Sequence, residues 1–338
     1  MFPVSAVKVS ELVDITGLTA SAISKRLKKL DSGIITAGNR VVGVQSDAVE
    51  DILFEEEKLK GLYDSFITVV GTNVGGVGKT SATVSLAAAS RRLISKKKAV
   101  VIIDADSQAS STEQVVGKVP DQIPVLKDYI DRNCSLDDLL YPVGDKSENL
   151  WIIRSNLDNV YLDRSFSSAQ IVRDSIKLLF REIFDRFGEG TKIILDLPPQ
   201  LSAVSQSAIC ALALLPERSV YLIPMRTDRV SIKGAKICLN EIKSTTASYR
   251  GVDHINALCF LSSYDARLKV SVETMRIMIE DDLLKNHICN AVIRYSSEVT
   301  KSSMKNQNIF SSGKKSNITS DYNELALSLY VIDRQSLN

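Results

Sequence analysis

The rhythm of apolar and polar positions changes twice along the chain, and the three segments predict three different structures. Over residues 1–44 the apolar positions are sparse and helically spaced. Ser10 can cap a short helix carrying Leu12, Val13 and Ile15; Thr16, Gly17 and Leu18 form a turn; Thr19 can cap a second helix from Ala20 to about Leu30. On that helix Ile23, Leu27 and Leu30 share one face. Ile34-Ile35 and Arg40 to Val44, joined across Thr36-Ala37-Gly38-Asn39, predict a hairpin. This order of elements is that of a winged helix-turn-helix. Residues 45–64 predict a linker, with a helix from Asp47 to Leu62 that is apolar at Val49, Ile52, Leu53 and Leu59 and charged at Glu55-Glu56-Glu57. It either connects two domains or holds a dimer together.

From Phe66 onward the pattern becomes α/β. Short apolar runs rich in β-branched residues fall at Phe66 to Val70, Ala99 to Ile103, Leu150 to Ile153, Lys192 to Leu195, Ser219 to Ile223 and His254 to Leu261. Helical stretches at Ser81 to Leu93, Ser168 to Phe187, Val204 to Leu214, Ser231 to Lys243 and Ser271 to Asp282 separate most of them, and a last helix runs from about Asp321 to Asp333. Strands without polar alternation predict a mostly parallel sheet with helices on both faces, here over residues 65–338.

Composition adds exclusions. The apolar fraction of 44% and charged fraction of 24% in 338 residues describe an ordinary globular protein, and a net charge of +2 argues for no particular partner. Five dispersed cysteines and two histidines, His254 and His287, match no zinc spacing and read as reduced thiols of a cytoplasmic protein. No run approaches the roughly 20 apolar residues of a membrane span.

The chemistry concentrates between the first α/β strand and its helix, in Val69-Val70-Gly71-Thr72-Asn73-Val74-Gly75-Gly76-Val77-Gly78-Lys79-Thr80-Ser81. Glycines 75, 76 and 78 let successive N–H groups turn inward, and the helix N-terminus adds its positive end, as in the phosphate loop of P-loop NTPases. Gly75 to Ser81 would bind the nucleotide, Lys79 can reach the β- and γ-phosphates, and the Thr80 hydroxyl can ligate Mg²⁺. The strict motif has glycine where this chain has Asn73. Asp104, Asp106 and Asp196 follow strands, where open α/β sheets place ligands, and such carboxylates suit a Mg²⁺ ion beside triphosphate.

These residues, with Asp104-Ala105-Asp106-Ser107-Gln108-Ala109-Ser110, Asn156-Leu157 and Asp196-Leu197-Pro198-Pro199, resemble the ParA-type plasmid and chromosome partition ATPases of the deviant Walker A class, in particular the longer form with an N-terminal helix-turn-helix domain. The resemblance covers most of the chain from Phe66. It implies ATP and ADP with Mg²⁺ as cofactors, an ATP-bound homodimer on non-specific DNA of the nucleoid, and slow hydrolysis stimulated by a centromere-binding, ParB-type partner. It also implies that Asp104 positions the attacking water, Asp106 belongs to the following switch, and Asp196 holds a Mg²⁺-bound water. Arg267, in Asp265-Ala266-Arg267, falls in a family stretch tied to dimerisation or signalling, or is a solvated arginine. One departure matters. The family's signature lysine precedes the paired glycines, and here that position is Val74, which supplies no cation to the phosphates.

Two basic segments are candidates for DNA. In the first, Ser21, Lys25, Arg26, Lys28, Lys29 and Arg40 would approach an operator, unless the unit is a protein-interaction module. In the second, Arg294, Lys301, Lys305, Lys314 and Lys315 surround a stretch without acidic residues from Lys301 to Ser320, with a short helix near Val299 to Gln307. These lysines either track phosphates or form a solvated run.

Overall fold

The computed structural model describes residues 6–30, 32–38, 40–249, 251–252 and 255–331. A hairpin of β1 (Ile34–Ala37) and β2 (Arg40–Val44) follows two helices, Val9–Thr16 and Ala20–Leu27. The larger sheet contains β3 (Phe66–Val70), β4 (Val100–Asp104), β5 (Leu140–Pro142), β6 (Leu150–Ile153), β7 (Lys192–Asp196), β8 (Ser219–Met225) and β9 (Ala257–Leu261). Its order is β5-β6-β4-β7-β3-β8-β9, and every pairing is parallel except β5 with β6. The fold is therefore the mostly parallel P-loop arrangement that the sequence predicts.

Both faces of the sheet are apolar because both are covered. Val70, Val100, Ile102, Ile194 and Leu222 belong to one buried cluster, together with residues of helices Lys79–Leu93 and Asn317–Tyr330. Their neighbours Val69, Val101, Ile103, Ile193 and Ile223 belong to the other, with helices Ala169–Phe187, Ala203–Leu212 and Arg229–Ser248. Helix Lys79–Leu93 is buried along nearly its whole length. Its small residues, Ala82, Ser85 and Ala87 to Ser90, suit so enclosed a position.

The N-terminal unit does not stand apart. Leu12, Ile23, Leu27 and Val44 lie in the same apolar cluster as Leu86 and Tyr330. Arg92, near the end of the buried helix, donates to both oxygens of Glu11 at 3.0 and 2.8 Å and to the Ala6 carbonyl at 3.2 Å, and stacks over the Phe310 ring at 4.4 Å. Asp47 accepts from Ser95 Oγ and the Lys96 N–H, while Glu50 accepts from the Ser95 N–H and Lys98 Nζ. The polar residues of the linker are thus fastened to the turn after that helix.

Several boundaries differ from those expected. The linker helix ends at Phe54 and gives way to a 3-10 turn, Glu57–Tyr63. Gly61 in that turn lies against the Tyr330 carbonyl, where a Cβ would sit 2.7 Å from the oxygen. The last helix begins four residues early, at Asn317, behind the Ser316 cap; Asp333, expected near its end, lies outside the described residues, as do Asn39 and His254. Strand β5 was not expected: three residues ending in proline carry no strand pattern, and its edge position tolerates Pro142. The short helices Ser110–Val116, Leu126–Ile130 and Leu136–Leu139 were also missed.

Replacing one partner of a buried ion pair leaves the other uncompensated. Glu11→Ala should therefore cost about 3 kcal/mol of unfolding free energy, read from urea denaturation. A midpoint equal to wild type would mean that the Arg92 contacts to Ala6 and Phe310 suffice.

Candidate functional site: a phosphate loop with paired carboxylates

Strand β3 runs into the loop 71–78, which ends at Gly78 as the residue capping helix Lys79–Leu93. Gly76 and Gly78 have φ of 71° and 93°, a backbone region that suits glycine and turns the loop back on itself. Several contacts fix the loop from below. Ser262, just after β9, donates from its Oγ to the Val77 carbonyl at 2.6 Å. The Cys238 thiol, in helix Arg229–Ser248, is hydrogen bonded to the Asn73 backbone and the Thr72 side chain. Gly71 leaves no room for a side chain beside Tyr221, where a Cβ would come within 2.6 Å of the ring Cζ.

Val74 does not reach out from the loop. It is half-buried, and with Asn73 it packs over Gly234, where a Cβ would clash with the valine methyl and approach Asn73 Oδ1 to 2.7 Å.

Behind the loop stand two aspartates. Asp104 and Asp196 end the adjacent strands β4 and β7 in register, and both are buried. Asp196 Oδ2 accepts from the Thr80 hydroxyl at 3.1 Å and from the Ser111 hydroxyl at 2.6 Å, while its Oδ1 is buried with no partner among the described residues. Burial raises both carboxyls above the ordinary carboxylate range. The Asp196 charge raises Asp104 further, whereas the Ser111 hydrogen bond, the Lys79 ammonium and the Thr80 hydroxyl pull Asp196 part of the way back.

A Mg²⁺ ion fits this arrangement. No group of three or more His, Cys, Asp or Glu among the described residues could hold a metal alone. Mg²⁺ beside phosphates needs no such cage, since phosphate oxygens and waters fill most of its shell. The Thr80 hydroxyl would be a direct ligand, and the unpartnered Asp196 oxygen would accept from a metal-bound water. Lys79 is 8% exposed and is the loop's own cation.

Asp104 is placed otherwise than expected. Its Oδ2 accepts from both the N–H and the hydroxyl of Thr112 at 2.8 Å, and its Oδ1 accepts from the Asp106 N–H at 3.1 Å. With both oxygens engaged and no exposure, Asp104 braces the loop after β4 instead of facing a water. Asp106, partly exposed in that loop, is the accessible carboxylate. Its carbonyl is held by Ser155 Oγ at 2.7 Å, and the Ser155 N–H bonds Thr112 Oγ1 at 2.9 Å, which ties the loop to the end of β6. Ser111, Thr112, Ser155, Ser262 and Gly234 carry no local motif, and only the fold brings them to the site.

The pattern of the AAA domain family matches residues 65–252. The chain belongs to this family. No curated protein matches it in sequence. Among solved structures, this AAA domain protein is similar to apo McdA from Cyanothece at 17% identity, with a TM-score of 0.63 over 78% of this chain and 99% of the other. It is also similar to a plasmid partition protein from Borrelia burgdorferi bound to AMPPNP, at 15% identity and a TM-score of 0.58 over 79% and 98% of the two chains. Cobyrinic acid a,c-diamide synthase from Mycobacterium smegmatis, with bound ADP and magnesium, gives 18% identity and a TM-score of 0.58 over 78% and 92%. The resemblance to ParA-type ATPases thus holds at the level of fold, and two of these three neighbours hold a nucleotide, one of them with magnesium.

The AAA domain protein presents its expected DNA residues unevenly. Ser21, Lys25, Lys28 and Lys29 are exposed on helix Ala20–Leu27 and just beyond it, as are Lys301, Lys305 and Lys314 in the C-terminal segment. Three others are committed elsewhere. Arg26 is held by the Ile52 carbonyl, Glu55 and Glu56; Arg294 is held by Asp321; Lys315 is held by Asp14. Charge counting could not see these pairs, because each partner is distant in sequence. The Arg40 side chain lies outside the described residues. Arg267 is paired with Asp265.

With the Asp104 and Asp196 carboxyls raised, this pair binds more protons in the folded protein than in the unfolded chain between the ordinary carboxylate pKa and the raised values. Its contribution to the stability of the nucleotide-free protein should therefore fall as pH rises through that window, by about 1.4 kcal/mol per pH unit for each excess proton, opposed by the buried Lys192, whose pKa burial lowers to about 7. Asp196→Asn should flatten that slope and raise the melting temperature at neutral pH. Melting curves from pH 5 to 8 test this, and an unchanged slope would remove the carboxylate pair as its cause.

Proposed function

We propose that this chain is a DNA-partition ATPase: it binds Mg²⁺-ATP at Gly75 to Ser81, dimerises across that face, holds DNA non-specifically, and releases it after slow, partner-stimulated hydrolysis. The observation that carries this reading is helix Lys79–Leu93. One end forms the phosphate site, and the other carries Arg92, which grips the basic N-terminal unit. A nucleotide-dependent shift of this helix would be felt by the unit that offers Lys25, Lys28 and Lys29. The division into 1–44, 45–64 and 65–338 is then one of role, with the first two segments packed on the third.

Lys79 would neutralise the β- and γ-phosphates, Thr80 would ligate Mg²⁺, Asp196 would orient a metal-bound water, and Asp106 would face the attacking water, with Asp104 as its support. Mg²⁺ would supply charge neutralisation at the transferred phosphoryl group. Leu157, Val230 and Leu268, exposed in the segments that follow β6, β8 and β9, lie toward the carboxyl ends of the strands, as the phosphate loop does. They would be covered by a second copy in an ATP-formed dimer. The partner that stimulates turnover would be a centromere-binding, ParB-type protein. No helix among the described residues is long and apolar enough to cross a membrane.

Val74 favours a second reading, a nucleotide-responsive repressor that turns over little or no ATP, with the N-terminal unit on an operator. Measuring ATP turnover with and without bulk DNA and the centromere-binding protein separates the two. Partition predicts stimulation that Lys79→Ala abolishes, whereas background turnover under every combination, with intact ATP binding and site-specific DNA binding, favours the repressor.

For DNA, replacing Lys301, Lys305 and Lys314 together with alanine should weaken binding and reduce the slope of log affinity against log salt by about 2 to 3. An unchanged slope would remove this segment from the DNA surface.

A further inference from the structure

The phosphate loop lacks a cation at Val74, and its fold shows why none can be expected from that position: the valine is turned onto Gly234 and packs there. Efficient phosphoryl transfer needs positive charge on the phosphate oxygens beyond what one lysine provides. The cations at the carboxyl ends of β8 and β9 are therefore of interest. Arg267, which the sequence suggested, is paired in two hydrogen bonds with Asp265 at 2.9 and 2.7 Å.

Arg226 differs. It immediately follows β8, which lies beside β3 in the sheet, so it stands at the same edge as the phosphate loop. Its backbone is fixed there. The carbonyl of the preceding residue, Met225, accepts from the Ser262 N–H at 2.7 Å, and Ser262 Oγ in turn donates to Val77 in the middle of the loop at 2.6 Å. One serine thus joins the residue before Arg226 to the backbone of the phosphate cradle. The Arg226 side chain is exposed, with no hydrogen-bond or ion-pair partner among the described residues. The nearest carboxylate in sequence, Asp228, is occupied by the Ser231 N–H at 2.8 Å as the cap of helix Arg229–Ser248.

We infer that Arg226 supplies the phosphate-binding cation that Val74 does not, contacting the terminal phosphate of a nucleoside triphosphate seated on Gly75 to Thr80. An arginine suits the task, because its planar fork can donate two parallel hydrogen bonds to phosphate oxygens and keeps its charge at any working pH. Held outside the loop itself, the cation would engage only when a terminal phosphate is present. ADP would leave it in solvent.

This inference rests on the reading of the loop as an ATP site, and the experiment separates the two. The full-length protein is titrated with AMPPNP and with ADP, each with Mg²⁺, by calorimetry, and steady-state turnover of ATP is measured alongside. Lys79→Ala tests the loop: unchanged binding of both nucleotides would sink the reading of the site, whatever Arg226 does. For Arg226→Ala, preference for AMPPNP over ADP should drop about tenfold or more, the range of a lost charge-assisted contact, with ADP affinity within about twofold of wild type. Arg226→Lys should recover part of the preference, and Arg267→Ala should leave it unchanged. An Arg226→Ala protein with wild-type preference and turnover overturns the assignment, and so does a wild-type protein that binds the two nucleotides equally. Equal losses for ADP and AMPPNP would also overturn it, since they would mark a general disturbance of the loop.

Discussion

The burial of helix Lys79–Leu93 is the constraint on which the rest of the structure depends. The helix lies between the sheet and the last helix, with the N-terminal unit closing over its far end. Such a position excludes long side chains along its middle, and the sequence there supplies alanine, serine and threonine. Apart from the apolar Val84 and Leu86, the middle is small, and the charged groups appear only at the two ends, where each has a polar task. Lys79 stands at the phosphate end; Arg91 and Arg92 stand at the other.

Those two arginines show how a buried charge is made tolerable. Arg91 is 1% exposed and has no carboxylate within hydrogen-bonding distance among the described residues; it donates instead to the carbonyls of Ile94 and Lys98 at 2.5 and 2.7 Å, clasping the turn that leads into β4. Burial lowers its pKa to about 10, and the carboxylates of Glu148, Asp47 and Glu50 oppose that shift. Arg92 takes the ionic route, with Glu11. A charge unpaired in such a place costs several kcal/mol. The contacts of Arg91 and Arg92 therefore set where β4 begins and where the N-terminal unit sits. A similar economy applies to Lys192, fully buried at the start of β7, where its ammonium donates to the Asp64 carbonyl and lies 4.4 Å from the Tyr330 ring centre.

At the opposite end of the strands the constraint is electrostatic. Two carboxylates end neighbouring strands in register, and a dry sheet edge would not hold both as anions without partners. Asp104 is satisfied by protein donors and has become structural. Asp196 keeps one oxygen without a partner, beside the Thr80 hydroxyl and within the influence of Lys79. That asymmetry distinguishes a brace from a ligand-facing group, and it is invisible in a motif that contains only aspartates.

The sequence by itself determined the elements whose signals are local. Runs of β-branched residues fix β3, β4, β6, β7 and β8, because a strand covered on both faces has no polar alternation to confuse it. The glycine, lysine and threonine spacing fixes the loop between β3 and its helix, because a phosphate cradle is built from consecutive backbone groups. The tertiary structure alone decided what depends on residues far apart in the chain: that Arg26, Arg294 and Lys315 are spent on ion pairs, that Thr112 occupies Asp104, that Gly234 receives Val74, and that Ser262 brings the end of β8 beside the phosphate loop. Apart from the Thr112 contact, which spans eight positions, each reaches across tens to hundreds of positions and is set by sheet order and burial, neither of which leaves a periodic trace. The same distinction applies to Val74. The sequence shows that a cation is missing there, and the structure shows that the half-buried valine packs on Gly234 of helix Arg229–Ser248.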